Sequence, residues 1–335
     1  MLNIALPWLE QPLRDALQRA RSHALLVQGP AGVGQLEFAL QLALSWLCEQ
    51  GDGHQPGCGH CASCRLFASG THPDFQLLMP EALEPLREAL GLPVDEEGGK
   101  SAKSKTAKPS REIKVEAVRA LLSFAQSTSA RGRAKVAVIF PAEALNGVAA
   151  NALLKTLEEP SGLLRFALAS HDSASLLPTI RSRCQPVPLG LPAREAALPW
   201  LASRGVDGAE GLLAATGGRP QQALAWAEAG LTDAAWQALP KRIARGEVQA
   251  LADWLPARII DALQRICHDL LRRLHGQKPQ FFDTASLPAL RKAGPLLAWE
   301  AELRRAARHA DHPLNTGLWI EALVAQAQAA FVAAR

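Results

Sequence analysis

Gln28-Gly29-Pro30-Ala31-Gly32-Val33-Gly34-Gln35-Leu36 follows an apolar run, Ala24-Leu25-Leu26-Val27, and opens an apolar-periodic segment from Phe38 to Leu47. Strand, glycine-rich loop and helix in that order are the setting of a phosphate-binding loop, whose pattern is G-x-x-x-x-G-K-[ST]. Gly29 and Gly34 have the required spacing, with Gly32 between them. Gln35 stands where the lysine belongs and Leu36 where the hydroxyl belongs. The glycines keep the loop's shape. The glutamine removes the point charge that meets the β- and γ-phosphates, and the leucine removes a Mg²⁺ ligand. The stretch therefore predicts an α/β parallel-sheet domain with its own phosphate site dismantled and no productive binding of ATP. A glycine-rich turn unrelated to phosphate is the competing reading of these residues alone.

A second stretch weighs against that competitor. Val136 to Phe140 carries no polar residue and reads as a buried strand of a parallel sheet. An active NTPase ends this strand with Asp, for Mg²⁺, then Glu, for the attacking water. Here Pro141 and Ala142 take those places, and Glu143 falls one position late. Metal and water have lost their ligands at both ends of the site.

Three cysteines stand at C-x₂-C-x₂-C spacing, Cys58, Cys61 and Cys64. Tetrahedral Zn²⁺ needs a fourth ligand. Cys48 precedes Cys58 across a glycine-containing linker, and His54, His60 and His72 compete with it. An iron–sulfur pattern would need a cysteine followed by proline after Cys64, and Ala68 and Ser69 stand there. With no ligand position left open, a structural site is expected. Six cysteines in all, three of them crowded, suit a metal site in a reducing cytoplasm better than a disulfide framework.

At 335 residues, 48% hydrophobic and 20% charged, the chain has the composition of a globular protein of two or three domains. A net charge of +4 does not by itself call for nucleic acid. No uninterrupted apolar run reaches eighteen residues, and Met1 to Glu10 lacks the regions of a signal peptide, so neither a membrane span nor a leader is expected. Residues 11–23 read as a helix with Leu13 and Leu17 on one face. Residues 95–111, rich in Lys, Ser and Gly, read as a flexible basic loop, and Ile113 to Phe124 as an amphipathic helix. Apolar strands alternate with helices up to Ser170 and then stop. The prolines of Pro186-Val-Pro-Leu-Gly-Leu-Pro192 read as a linker. Beyond it, Ile259, Ile260, Leu263, Ile266, Cys267, Leu270, Leu271 and Leu274 make a helical apolar face, with Arg258, Arg265 and Arg272 on a solvated one.

Asn151-Ala-Leu-Leu-Lys-Thr-Leu-Glu-Glu-Pro160, Phe166-Ala-Leu-Ala-Ser170 and Thr179-Ile-Arg-Ser-Arg-Cys184 follow one another as they do in bacterial clamp-loader subunits. The chain resembles these AAA+ proteins over most of its length, and Gly70-Thr-His-Pro-Asp74 and the cysteine cluster strengthen the likeness. The resemblance implies a P-loop NTPase-like AAA+ domain over 1–187 with a zinc module at about 48–75, a small helical lid over 188–230, and an all-α collar over 231–335. It implies a part in the DNA polymerase III holoenzyme, the nucleotidyltransferase assembly of DNA replication. The implied partners are the motor ATPase (gamma/tau) subunits, the delta subunit, the sliding clamp and primer-template DNA. By the same resemblance the zinc ligands are Cys48, Cys58, Cys61 and Cys64, the sensor-1 position is Ser170, and the arginine finger is Arg183, serving a neighbour in trans. Gln221 stands where motor subunits carry a sensor-2 arginine.

The chemistry expected of Arg183 has its own basis. Phosphoryl transfer spreads negative charge over equatorial oxygens, and an arginine supplied by a neighbour stabilises it. Arg181 is its natural control. An active motor ATPase and a zinc-containing nucleic-acid-binding module are the alternatives. Gln35, Leu36, Pro141 and Ala142 speak against the first. Aromatic content of 5%, with none in the basic loop, speaks against the second.

Overall fold

The protein is described by a computed structural model over residues 6–92, 109–308 and 315–335. All of the basic loop but residues 109–111 lies outside the described residues, as do residues 1–5 and 309–314. The chain divides into two compact units, Met1–Ala196 and Ala197–Arg335.

The first unit runs α1 (Glu10–Arg19), β1 (Ala24–Gln28), α2 (Gln35–Leu47), α3 (Ala62–Ala68), β2 (Phe75–Leu78), α4 (Glu84–Ala89), α5 (Val115–Gln126), β3 (Lys135–Ile139), α6 (Gly147–Glu158), β4 (Leu164–Ser170), α7 (Pro178–Arg181) and β5 (Gln185–Pro188). The five strands form one parallel sheet in the order β2-β3-β4-β1-β5. β3 is buried at every position and β1 at all but its last, as strands covered on both faces must be. One face packs α5 and α6 through Val118, Leu121, Ala149, Leu153 and Leu157. Against the other lies α2, with Phe38, Leu40, Leu42 and Leu47 fully buried between the sheet, α1 and α3. In register, Gln28 stands beside Ser170 and Pro188. The loop after β1 thus leaves the carboxyl edge of the sheet at its order reversal, where open α/β sheets bind ligands. The architecture is that of an AAA+ domain.

One strand was not expected. Gln185–Pro188 pairs with β1 at the sheet edge, where the sequence reads as linker. Proline cannot donate to a ladder and is confined to edges, so two prolines in four residues disguise this strand.

The second unit continues from α8 (Arg194–Ala202), which crosses the boundary, through α9 (Ala209–Ala215), α10 (Pro220–Glu228), α11 (Asp233–Ala244), α12 (Pro256–Leu274), α13 (Gly294–Ala307) and α14 (Thr316–Ala334). No strand occurs among its described residues. Ile259, Ile260, Leu263, Ile266, Cys267 and Leu270 of α12 are buried. Asp269 beside them accepts the N–H groups of Gln280, Phe281 and Phe282 at 2.9, 2.7 and 2.9 Å. Arg265 departs from the solvated face assigned to it. It is 5% exposed, pairs with Asp261 at 2.7 Å, donates to the Ala215 carbonyl and lies over the rings of Trp226 and Phe281. Gly317–Ala334 of α14 has a mean hydropathy of 1.3, enough by length and composition to cross a membrane, although Glu321, Gln326 and Gln328 interrupt the run. Its Ile320, Leu323, Val324, Ala327 and Phe331 are buried, with Phe331 edge-on to Trp299 of α13, as in the core helix of a folded unit.

Candidate functional site

The loop has the backbone of a phosphate cradle. Gly32 and Gly34 adopt left-handed φ values of 86° and 103°, and Gly34 caps the N-terminus of α2. Such an end presents free N–H groups to anions. The side chains use the cradle differently. Gln35 is 1% exposed, and its Nε2 donates to the carbonyls of Gly29 at 2.5 Å and Pro30 at 2.7 Å. A neutral amide therefore ties the loop to itself where a lysine would project a charge. Leu36 is buried in the core. From the other side, Trp8 Nε1 donates to the Val33 carbonyl at 2.7 Å, and the Cδ1 atoms of Leu6 and Leu9 would lie 2.5 and 3.0 Å from a Cβ added at Gly34. A Cβ at Gly29 would overlap the Leu189 carbonyl, and the Leu189 N–H donates to Gln28 O at 2.8 Å.

Around the loop, Ser170 ends β4 fully buried, its Oγ without a hydrogen-bond partner. Its backbone carbonyl faces the Gly29 N–H at 3.4 Å. Ala142 is fully buried. Glu143 Oε1 accepts the His171 N–H at 2.9 Å, which turns this oxygen to the backbone after β4, while its Oε2 is buried without a partner. Burial holds the His171 imidazole below its usual range, with the Glu143 charge opposing.

The four sulfurs of Cys48, Cys58, Cys61 and Cys64 lie within 4.8 Å of one another, those of Cys58 and Cys64 at 3.9 Å. A tetrahedral metal with thiolate bonds of about 2.3 Å separates its sulfurs by about 3.8 Å, so this donor set fits one. Backbone N–H groups of Cys58, Cys61 and Cys64 point at the sulfurs of Cys48, Cys58 and Cys61 at 3.4, 3.3 and 3.4 Å. Burial opposes ionisation of Cys61, yet the N–H of Cys64 and neighbouring donors bring its thiol down to about 6. The histidines are occupied elsewhere. His54 meets the Leu17 carbonyl and His60 the Cys58 carbonyl. His72 Nδ1 accepts the Asp74 N–H at 3.0 Å and its Nε2 meets Ser63 Oγ at 2.6 Å, which assigns the proton to Nε2; Ser63 donates onward to the Leu47 carbonyl.

Asp74 is fully buried and accepts from Ala130 N, Arg131 N and Ser129 Oγ at 2.8, 3.0 and 3.0 Å, with Lys135 Nζ at 3.7 Å. Burial works against its charge, but these donors win and hold the carboxyl below its usual range. Arg131 continues the chain of contacts to Glu49, one residue after Cys48. Gly70-Thr-His-Pro-Asp74 thus ties the cysteine module to the entry of β3.

Arg183 stands apart from the loop. Its Nη1 donates to the Thr179 carbonyl at 2.9 Å and its Nη2 pairs with Glu158, the last residue of α6.

A family model described as "DNA polymerase III, delta subunit" matches residues 8–192. A relative named DNA polymerase III subunit delta' from Escherichia coli K12 is 34% identical over 281 residues, 77% of this chain and 76% of that protein. The chain belongs to the DNA polymerase III delta-prime family of clamp-loader subunits. The Pseudomonas aeruginosa delta' relative is 39% identical over 219 residues, 64% of this chain but 58% of its own length. The Escherichia coli tau subunit is 37% identical over 162 residues, 48% of this chain and 20% of tau. A DNA polymerase III gamma subunit-related protein from Thermotoga maritima covers 95% of this chain and 98% of its own, with 15% identity and a TM-score of 0.47.

The structure brings Gly29, Gly32, Gly34 and Ser170 to one sheet edge, gathers the four cysteines, and pairs Arg183 with Thr179 and Glu158. Sequence reasoning assigned no role to Leu6, Trp8, Ser63, Asp74 or Glu158, and offered His72 only as a competing metal ligand. The Thr-His-Pro-Asp run was the one available signal, and it pointed to kinship without revealing its wiring.

Proposed function

We propose that this chain is a catalytically silent clamp-loader subunit that helps place the sliding clamp on primed DNA and lends Arg183 to a neighbouring ATPase. The observation that carries it is Gln35, whose amide closes a phosphate-loop backbone onto its own carbonyls. Leu36, Pro141 and Ala142 offer no side-chain oxygen for a metal or an attacking water, and Leu6 and Leu9 crowd Gly34. The home site is inert, so a retained Ser182-Arg183-Cys184 is useful to another subunit's nucleotide. The partners in this reading are gamma/tau motor subunits, a delta subunit, the clamp and primer-template DNA, in the cytoplasm. The four cysteines hold one structural Zn²⁺, which supplies rigidity and no chemistry at the nucleotide. The second unit serves as lid, to about residue 230, and as collar beyond.

Reconstitution with a motor ATPase tests it. Arg183→Ala complexes should assemble but lose DNA-stimulated turnover at the affected site, toward the lower end of the roughly 10³–10⁵ range for such fingers. Arg181→Ala should do less. Wild-type turnover and clamp loading with Arg183→Ala would remove the trans role.

A further inference from the structure

Arg183 is stowed on its own subunit. Nη1 is taken by the Thr179 carbonyl and Nη2 by the Glu158 carboxylate, while Nε is buried without a partner. A phosphate recognised by this guanidinium needs the terminal nitrogens that the chain's own oxygens now hold. The Glu158 side chain is 55% exposed and that of Arg183 27%. The pair therefore lies in a screened surface setting, where ion pairs are weak and exchange freely.

We infer that Glu158 is a competing acceptor, which holds Arg183 until the nucleotide of a neighbouring subunit displaces it. The inference rests on the finger reading above. A triphosphate carries more charge and more acceptor oxygens than one carboxylate, so exchange runs forward once a nucleotide lies within reach. It runs back when the phosphates leave and Glu158 is again the best acceptor nearby. Holding the arginine in a non-binding partnership lowers the apparent affinity of the neighbouring site in proportion to the fraction of Arg183 left free. Glu158 is in this sense a positioning residue whose removal should produce a gain, an outcome that damage to the fold does not give.

Glu158→Gln keeps the size and one acceptor oxygen and removes the charge. In complexes reconstituted with the motor ATPase, KM for ATP in DNA-stimulated turnover should fall about two- to fivefold at low salt, the worth of an exposed ion pair. The gain should shrink as salt rises, with kcat little changed. Glu159→Gln, which alters the adjacent carboxylate, should leave KM where it was. In an Arg183→Ala background, Glu158→Gln should have no effect. An unchanged or raised KM for Glu158→Gln, with Arg183→Ala still defective, overturns this inference alone. The same gain in the Arg183→Ala background also overturns it. Full turnover by Arg183→Ala complexes overturns the finger reading and this inference with it.

Discussion

Gln35 donates its side-chain amide to the carbonyl of Gly29, six residues back across the loop, at 2.5 Å. The contact is internal to the motif and consumes the side chain that would have met a phosphate. Replacing it with lysine is therefore not enough to revive the site. Gln35→Lys with Leu36→Thr should give no steady-state ATP turnover by the isolated chain, because Pro141 and Ala142 still supply neither metal ligand nor water ligand. Turnover that appears in the double variant and vanishes on further mutation of Gly34 would show that the strand end is not limiting.

Metal analysis of protein purified without chelator should find one zinc per chain. Cys61→Ser removes one of four sulfurs and leaves a hydroxyl that can still accept the Cys64 N–H, so its effect reports on the metal rather than on the helix cap. It should loosen residues 48–75 in hydrogen exchange and leave α12 and α13 protected. Absence of zinc from the wild type, or exchange that spreads evenly over both units, would contradict a local structural site.

Asp74→Ala should destabilise the first unit by about 3–5 kcal/mol in urea denaturation, the usual cost of breaking a buried, hydrogen-bonded charge pair. The loss comes from Lys135, which remains buried without its counter-charge, and from the N–H groups of Ala130 and Arg131, which lose their acceptor. A loss below about 1 kcal/mol would mean that water replaces the carboxylate at no great cost.

Stability should fall as the medium is acidified from pH 7 to pH 5. Burial depresses the imidazoles of His72 and His171, with Asp74 and Glu143 opposing in part. The unfolded chain then binds protons, below about pH 6.5, that the folded chain refuses. This contribution is intact above the unfolded pKa and disappears as pH drops through the folded values. Urea midpoints should decline from pH 7 toward pH 5, with a shallower decline in His171→Gln. A midpoint that rises toward pH 5 would reverse the assignment.

What was readable in advance was local. The β1–loop–α2 unit declares itself because its glycines and apolar runs are contiguous, and Cys58, Cys61 and Cys64 because their spacing is short. What escaped depends on distant partners. The Trp8 contact to Val33 spans 25 residues, and nothing in Leu6-Pro-Trp-Leu9 announces it. Arg265 reads as solvated because its partners, Trp226 and Phe281, lie on other elements. β5 was hidden by its own prolines, since the ladder that accepts them is recognisable only once β1 is known to lie beside an edge.

The contact between Gly29 and Leu189 outlives the chemistry of the loop. Leu189 follows β5 directly, and its carbonyl occupies the space that any side chain at position 29 would need. This glycine is therefore held in place by the path of the chain leaving the sheet, whether or not a phosphate ever arrives. At position 35 the constraint is different, a buried glutamine whose amide staples the loop to its own carbonyls. The glycine is fixed by the exit segment folded against it, whereas the character of the loop is set separately, by the side chains at positions 35 and 36. Glycine spacing therefore reports the path of the backbone, and the two positions after the last glycine report what the loop can hold.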